Sequence, residues 1–275
     1  MKIALDPALI ADQPLPASFA AAAEYGYDGI ELGNRDDVIP AFAPLAYTPS
    51  ELRAAKAGAA SAGTKILSVA VIQALSSTEE ARRAQAVSWW LDGVRAAIDL
   101  GCRRINSELS GDPRTPGPCR DAYLRSMETI LPVLEREGVT VAVEPHPWDF
   151  VETTAAAVDL IGQLGSPAIG YLHCLPHTFY LGGSITEQVR CAGDALVQLH
   201  VADTFRPERS IVNPPGLDCR VHQHFDIGAG EVDWREAGHA LAGFDGIATV
   251  QVFFWPERAA ESFGQNRAAI GRIFP

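Results

Sequence analysis

The chain has 275 residues, 47% of them hydrophobic and 20% charged, with a formal net charge of -12. This is the composition of a folded chain with a sizeable core, long enough for one large domain or two small ones. The acidic balance argues against a phosphate-backbone partner, which calls for a basic face, and no apolar run is long enough to span a bilayer.

The opening "MKIALDPALIADQPLP" carries Asp6 and Asp12 among its apolar residues and does not read as a signal peptide. Cysteines 102, 119, 174, 191 and 219 are dispersed with no CxxC spacing, so reduced thiols and a cytoplasmic location are expected.

Short apolar runs then alternate with helical patterns. "KIALD" (2–6) is followed by "SFAAAAEYG", and "DGIEL" (28–32) by "TPSELRAAKAGAASAG", which opens on a capping signal. "KILSVAVIQ" (65–73) precedes the long "STEEARRAQAVSWWLDGVRAAIDLG", and "RRINSEL" (103–109) precedes "CRDAYLRSMETILPVLEREG". "VTVAVEP" (139–145) leads into "TTAAAVDLIGQLG", "AIGYLHC" (168–174) into "SITEQVRCAG", and "ALVQLHVAD" (195–203) into "VDWREAGHALAGF". "GIATVQVFF" (246–254) and a last helix over "RAAESFGQNRAAIGRIF" close the series. The runs lack strict alternation, as strands buried on both faces do.

Eight strand–helix units of roughly 30–35 residues match a single-domain (β/α)8 TIM barrel over residues 1–275. A doubly wound sheet is the alternative. It usually opens with a glycine-rich first turn, and "LDPALIADQP" is not one. Trp89 and Trp90 on the third helix face either a neighbouring helix or another subunit, so a homo-oligomer is compatible with the sequence.

Barrel chemistry sits at the C-terminal strand ends. There the chain places Glu31, Gln73, Asn106, Glu108, Glu144 and His146 on the first five strands. His173, Cys174, His177, His200, Asp203, Gln251 and Trp255 follow on the last three. The long loop after the seventh strand adds Arg206, Arg209, Arg220, His222, His224 and Asp226. Of the seven histidines only His239 lies elsewhere, in a helix. Glu and His converging from several strand ends make a divalent-metal or acid–base site.

"YGYDGIELGN", "VAVEPHP", "LHVADTFRP" and "DIGAGEVDW" resemble, over nearly the whole chain, the sugar isomerase/epimerase superfamily of xylose isomerase-like TIM barrels. That resemblance implies one divalent ion, Mn2+ first and Mg2+, Co2+ or Zn2+ as alternatives. It would be held by Glu144, by His200 and by the residues at two further positions. At those positions this chain departs from the family: Cys174 stands where Asp is expected and Gln251 where Glu is expected, with His173 and His177 as other strand-6 candidates. Gln can offer a carbonyl to a metal but cannot act as a base. Two-base epimerisation, in which the family uses the strand-5 and strand-8 glutamates, therefore loses one base.

His146, restricted by Pro145 and Pro147, is the candidate to fill that gap, beside a plain loop-bonding role. His177, Arg206, His224 and Trp148 are the candidate substrate contacts, with Trp148 and Trp255 read either as sugar-stacking rings or as rim packing. Glu31 is a substrate ligand or a supporting acid, and Asp203 orients His200 or an arginine.

The implied activity is metal-dependent isomerisation or epimerisation of a sugar, keto-sugar or cyclitol. A lyase of the same fold is one alternative, such as a dehydratase or 3-keto-glycoside deglycosidase acting by β-elimination. A non-catalytic barrel subunit of a complex is the other. The expected partner is a small carbohydrate or cyclitol, with neither nucleic acid nor membrane.

Overall fold

A computed structural model describes residues 1–34, 48–209 and 223–274. Its eight parallel strands follow one another around a closed barrel, with β8 pairing back onto β1. The strands are β1 (Lys2–Leu5), β2 (Gly29–Asn34), β3 (Ile66–Val71), β4 (Arg104–Glu108), β5 (Thr140–Glu144), β6 (Ile169–Cys174), β7 (Leu196–Val201) and β8 (Ile247–Val250). Each falls on one of the apolar runs, so the TIM barrel reading holds.

The helices are α1 (Leu15–Glu24), α2 (Pro49–Ala62), α3 (Glu80–Asp99), α4 (Pro116–Glu137), α5 (Thr154–Leu164), α6 (Leu175–Leu181), α7 (Ile185–Ala192), α8 (Trp234–Ala240) and α9 (Ala259–Ile273). Helix α2 starts as its sequence predicts. Thr48 accepts from the Glu51 amide, the Glu51 carboxylate accepts from the Thr48 amide at 3.1 Å, and Pro49 fills the first turn.

Two features differ from the sequence reading. Helix α6 was not anticipated; it begins directly after β6 with no intervening loop and carries His177 in its first turn. Strand β2 runs on to Asn34, so Glu31 is not at its end but inside the barrel.

The helix–sheet interface is filled by Phe19, Trp90, Met127, Ile130 and Leu160, all essentially buried. The two neighbouring tryptophans divide their roles. Trp90 is 1% exposed, and its indole N–H donates to the Val71 carbonyl at 3.1 Å, whereas Trp89 is 56% exposed. Within the barrel the packing is unusually polar. The buried Glu31 carboxylate accepts from Ser68, from Gln198 at 2.8 Å and from Thr249 at 2.9 Å.

No helix among the described residues is long and apolar enough to cross a membrane. Cys102, Cys119, Cys174 and Cys191 are free thiols, and Cys219 lies outside the described residues.

Candidate metal centre

Strands β5, β6 and β7 bring Glu144, Cys174 and His200 together, and Gln251 follows β8, each at most 2% exposed. One donor atom from each of Glu144, Cys174 and His200 lies within 4.8 Å of the others. Glu144 is in contact with two imidazoles, His200 Nδ1 at 3.2 Å and His177 Nδ1 at 2.8 Å. Gln251 donates through Nε2 to Asp6 Oδ2 at 3.2 Å, which leaves its buried Oε1 without a hydrogen-bond partner.

His177 and His224 form the other side of the cluster. His224 Nδ1 lies 3.0 Å from the Gln251 carbonyl. A carbonyl only accepts, so Nδ1 carries the proton and the Nε2 lone pair faces the cluster. That Nε2 lies 3.3 Å from His177 Nε2 and 3.9 Å from Cys174 Sγ. Donors around one tetrahedral zinc are separated by roughly 3.3–3.8 Å, given bond lengths of about 2.0–2.3 Å. Cys174, His177 and His224 also each offer one donor atom within 4.8 Å of the others. Two overlapping buried trios, Glu144–Cys174–His200 and Cys174–His177–His224, thus offer the kinds of donor that suit a divalent ion.

The electrostatics favour a cationic His200, whose proton a bound ion would displace. Burial alone would drive His200 toward neutrality. Glu144 on one side and Glu31, 3.2 Å from Nε2, on the other override it and hold the ring well above the usual histidine range. Burial likewise penalises the two carboxylates, but the His200 charge wins. It holds Glu31 below the usual carboxylate range and, together with His177, holds Glu144 well below it. Glu31 thus stands 3.2 Å from His200 Nε2, as an acid that orients the ring would.

His146 is 5% exposed and has a built-in orienter. Its Nδ1 lies 3.0 Å from Asp149 Oδ2 and 3.1 Å from the Pro147 carbonyl. Both partners accept, so the proton is on Nδ1 and Nε2 is the basic nitrogen. The ring meets His177 edge-on at 4.4 Å between centroids. Burial pulls its pKa down, but Glu108, Asp149 and Glu144 together raise it above the ordinary histidine value.

Several expected site residues have other roles. His173 does not join the cluster. Its Nδ1 is 3.3 Å from the Tyr171 hydroxyl and its Nε2 3.3 Å from Thr178 Oγ1, and burial pushes its pKa down to about 4, so it is a neutral structural ring. Asp203 orients neither His200 nor an arginine. It accepts from the amides of Thr204 (2.9 Å), Gly228 (2.8 Å) and Val232 (3.0 Å) and from the Trp234 indole (2.8 Å). The "DIGAGEVDW" segment is therefore tied down by Asp203, and a side chain on Gly230 would strike Asp203 and the Thr204 backbone. Asp226 is anchored to Ser262 and Asn266 on α9.

Arg206 is exposed at the rim, with its guanidinium 4.9 Å above the Phe179 ring. Trp148 is also at the rim, 42% exposed. Gln73 lines a 520 Å³ cavity with Pro49, Leu52 and Trp89, between α2 and α3 and away from the buried cluster. Arg220, His222 and the side chain of Arg209 lie outside the described residues.

Sequence reasoning missed Asp6 and Asp149. Asp149 carried a usable signal, since it sits three residues after His146 in a proline-bounded turn. Asp6 carried only its place at the end of β1.

The chain is a parallel eight-stranded TIM barrel with buried acidic, imidazole and thiol side chains gathered where its strands end. The chain belongs to the family described as "Xylose isomerase-like TIM barrel", which matches residues 19–267. No curated protein sequence matches it.

Solved structures share its fold at low identity. The probable 3-DHS dehydratase AsbF from Bacillus anthracis superposes with a TM-score of 0.77 at 14% identity, covering 98% of this chain and 99% of that one. The 3-keto-D-glucoside 4-epimerase YcjR from E. coli gives 0.75 at 16% identity, covering 99% and 98%. The IOLI protein, whose structure holds a zinc atom, gives 0.77 at 17% identity, also covering 99% and 98%. These structural neighbours include an epimerase and a dehydratase, so the fold is one that carries both chemistries.

Proposed function

We propose that this protein is a divalent-metal-dependent enzyme that removes a proton next to the carbonyl of a keto-sugar or cyclitol, as an isomerase or epimerase. The observation that carries this reading is the buried convergence of Glu144, Cys174 and His200 donor atoms within 4.8 Å of one another. These three residues and Gln251 would hold the ion, which supplies Lewis-acid polarisation of the substrate carbonyl. His177 and His224 line the opposite wall, where substrate hydroxyls would lie. His146 is the base. Asp149 and the Pro147 carbonyl hold its Nδ1–H, so proton transfer would run through Nε2.

A β-eliminating lyase is the second reading, and Gln251 favours it. An amide cannot return a proton from the opposite face, whereas elimination needs a single base and a leaving group. The family's carboxylates suit manganese. In this chain a thiol and an amide take the place of two of them, and the softer sulfur shifts the preference toward zinc or cobalt.

The test is solvent deuterium incorporation into a panel of keto-sugars and keto-glycosides by the metal-loaded protein. Exchange with a new epimer formed supports the first reading. Exchange with release of water or an aglycone supports the second. If a metal-loaded sample exchanges no substrate hydrogen across the panel, the proton-abstraction proposal is wrong.

A further inference from the structure

Two backbone outliers lead outward from the buried cluster. Among the described residues, Trp148 and Trp255 are the non-glycine residues with left-handed backbone, at φ 66° and 63°. A bulky side chain at such φ is strained and persists only where its surroundings hold it there. Burial does not account for the strain, because the rings remain 42% and 39% exposed. Both stand at the barrel mouth, on the loops after β5 and β8. Glu152 accepts from the Trp148 amide and pins that turn.

Aromatic contacts flank each of them. Trp148 meets Tyr180 edge-on at 5.5 Å. On α6 with Tyr180, Phe179 carries the Arg206 guanidinium at 4.9 Å. Phe205 meets Phe225 at 5.4 Å, and Phe225 meets Trp255 at 5.3 Å. This arc uses the segments after β5, β6, β7 and β8, the same four strands that deliver the buried donors. The sequence binds arc and cluster together. Glu144 and His146 lead into Trp148, His177 into Phe179 and Tyr180, His224 into Phe225, and Gln251 into Trp255.

We propose that the aromatic arc is a subsite for a flat apolar group carried by the substrate. The substrate is then a glycoside or sugar conjugate bearing an aryl or similar substituent, rather than a free monosaccharide. This rests on the reading above, in which the sugar end reaches the buried cluster. The exposed Trp148 and Trp255 rings can bind such a group by offset or edge-on stacking, with the buried Phe179 and Phe225 behind them and the Arg206 guanidinium 4.9 Å from the Phe179 ring centroid. Presenting two strained, half-open tryptophans at the mouth preorganises those faces before the ligand arrives.

Binding of phenyl β-D-glucoside, methyl β-D-glucoside and glucose 6-phosphate to the full chain, measured calorimetrically, tests the proposal. The phenyl compound is expected to bind about tenfold more tightly than the methyl compound, equivalent to one good aromatic contact. Trp148→Gly and Trp255→Gly relieve the backbone strain, so both should fold with an unchanged or raised Tm, and together they should erase the phenyl advantage. Trp148→Phe should retain most of it. Equal binding of phenyl and methyl glucosides, or an advantage that survives the double variant, overturns the subsite. So does tightest binding of the phosphate, which would make Arg206 an anion site. A phenyl preference without hydrogen exchange in any substrate would remove the proposed reaction and leave the subsite standing. Exchange without a phenyl preference would do the reverse.

Discussion

His146 and Cys174 are the residues whose chemistry is easiest to separate. His146 is held by the Asp149 carboxylate and is not among the proposed ligands, so His146→Ala should lower turnover by about 100-fold or more while bound metal stays at wild-type stoichiometry. Unchanged turnover would reduce the ring to a loop fastener. Cys174 is 1% exposed and belongs to both groups of donor atoms that converge in the cluster. Cobalt-loaded protein should therefore show a thiolate-to-cobalt charge-transfer band in the near ultraviolet. Cys174→Ser should lose the band, and Cys174→Asp should move the metal preference toward manganese. A wild-type cobalt spectrum lacking that band would remove the sulfur from the coordination sphere. Asp6 shows why some site residues are hard to read from sequence. Its partner Gln251 is 245 residues away, and a lone Asp before Pro7 reads as an ordinary turn.

Among the elements, the eight strands were legible because a parallel strand buried on both faces leaves an unbroken apolar run. Helix α6 was not. "LPHTFYL" is short, has proline in its first turn and follows β6 without a polar spacer, so the run reads as strand passing into loop. The segment around Asp203 was recognised as a motif but given the wrong work, because its partners are mostly backbone amides as far as 29 residues on. Those four donors decide the cost of losing it. Asp203→Ala should destabilise the fold by about 3 kcal/mol, since buried N–H groups would be left unpaired. Urea unfolding would measure it. A loss near zero would mean that the turn holds itself.

The stability of the whole molecule should depend on pH in a way that one ring makes testable. His173 has its pKa pushed down to about 4 by burial, below the ordinary histidine value. A depressed histidine pKa means the native state prefers the neutral ring. Its stabilising share is complete above about pH 6.5 and is lost as pH falls from there toward 4. The loss amounts to roughly 3 kcal/mol. In apoprotein, His173→Gln should flatten that decline relative to wild type, read as Tm against pH. Parallel curves would place the acid sensitivity elsewhere.

Closure of the barrel has a consequence for when the proposed site could accept an ion. Gln251, the last donor in the chain, is held by Asp6, and the Glu31 that steadies His200 takes a bond from Thr249. Both links cross the seam where the first and last parts of the polypeptide meet. A nascent or unzipped chain can present Glu144 and Cys174, yet it lacks the brace that aims the remaining ligands. Metal capture then becomes a checkpoint on completed folding, and partly made barrels are poor competitors for scarce ions in the cell.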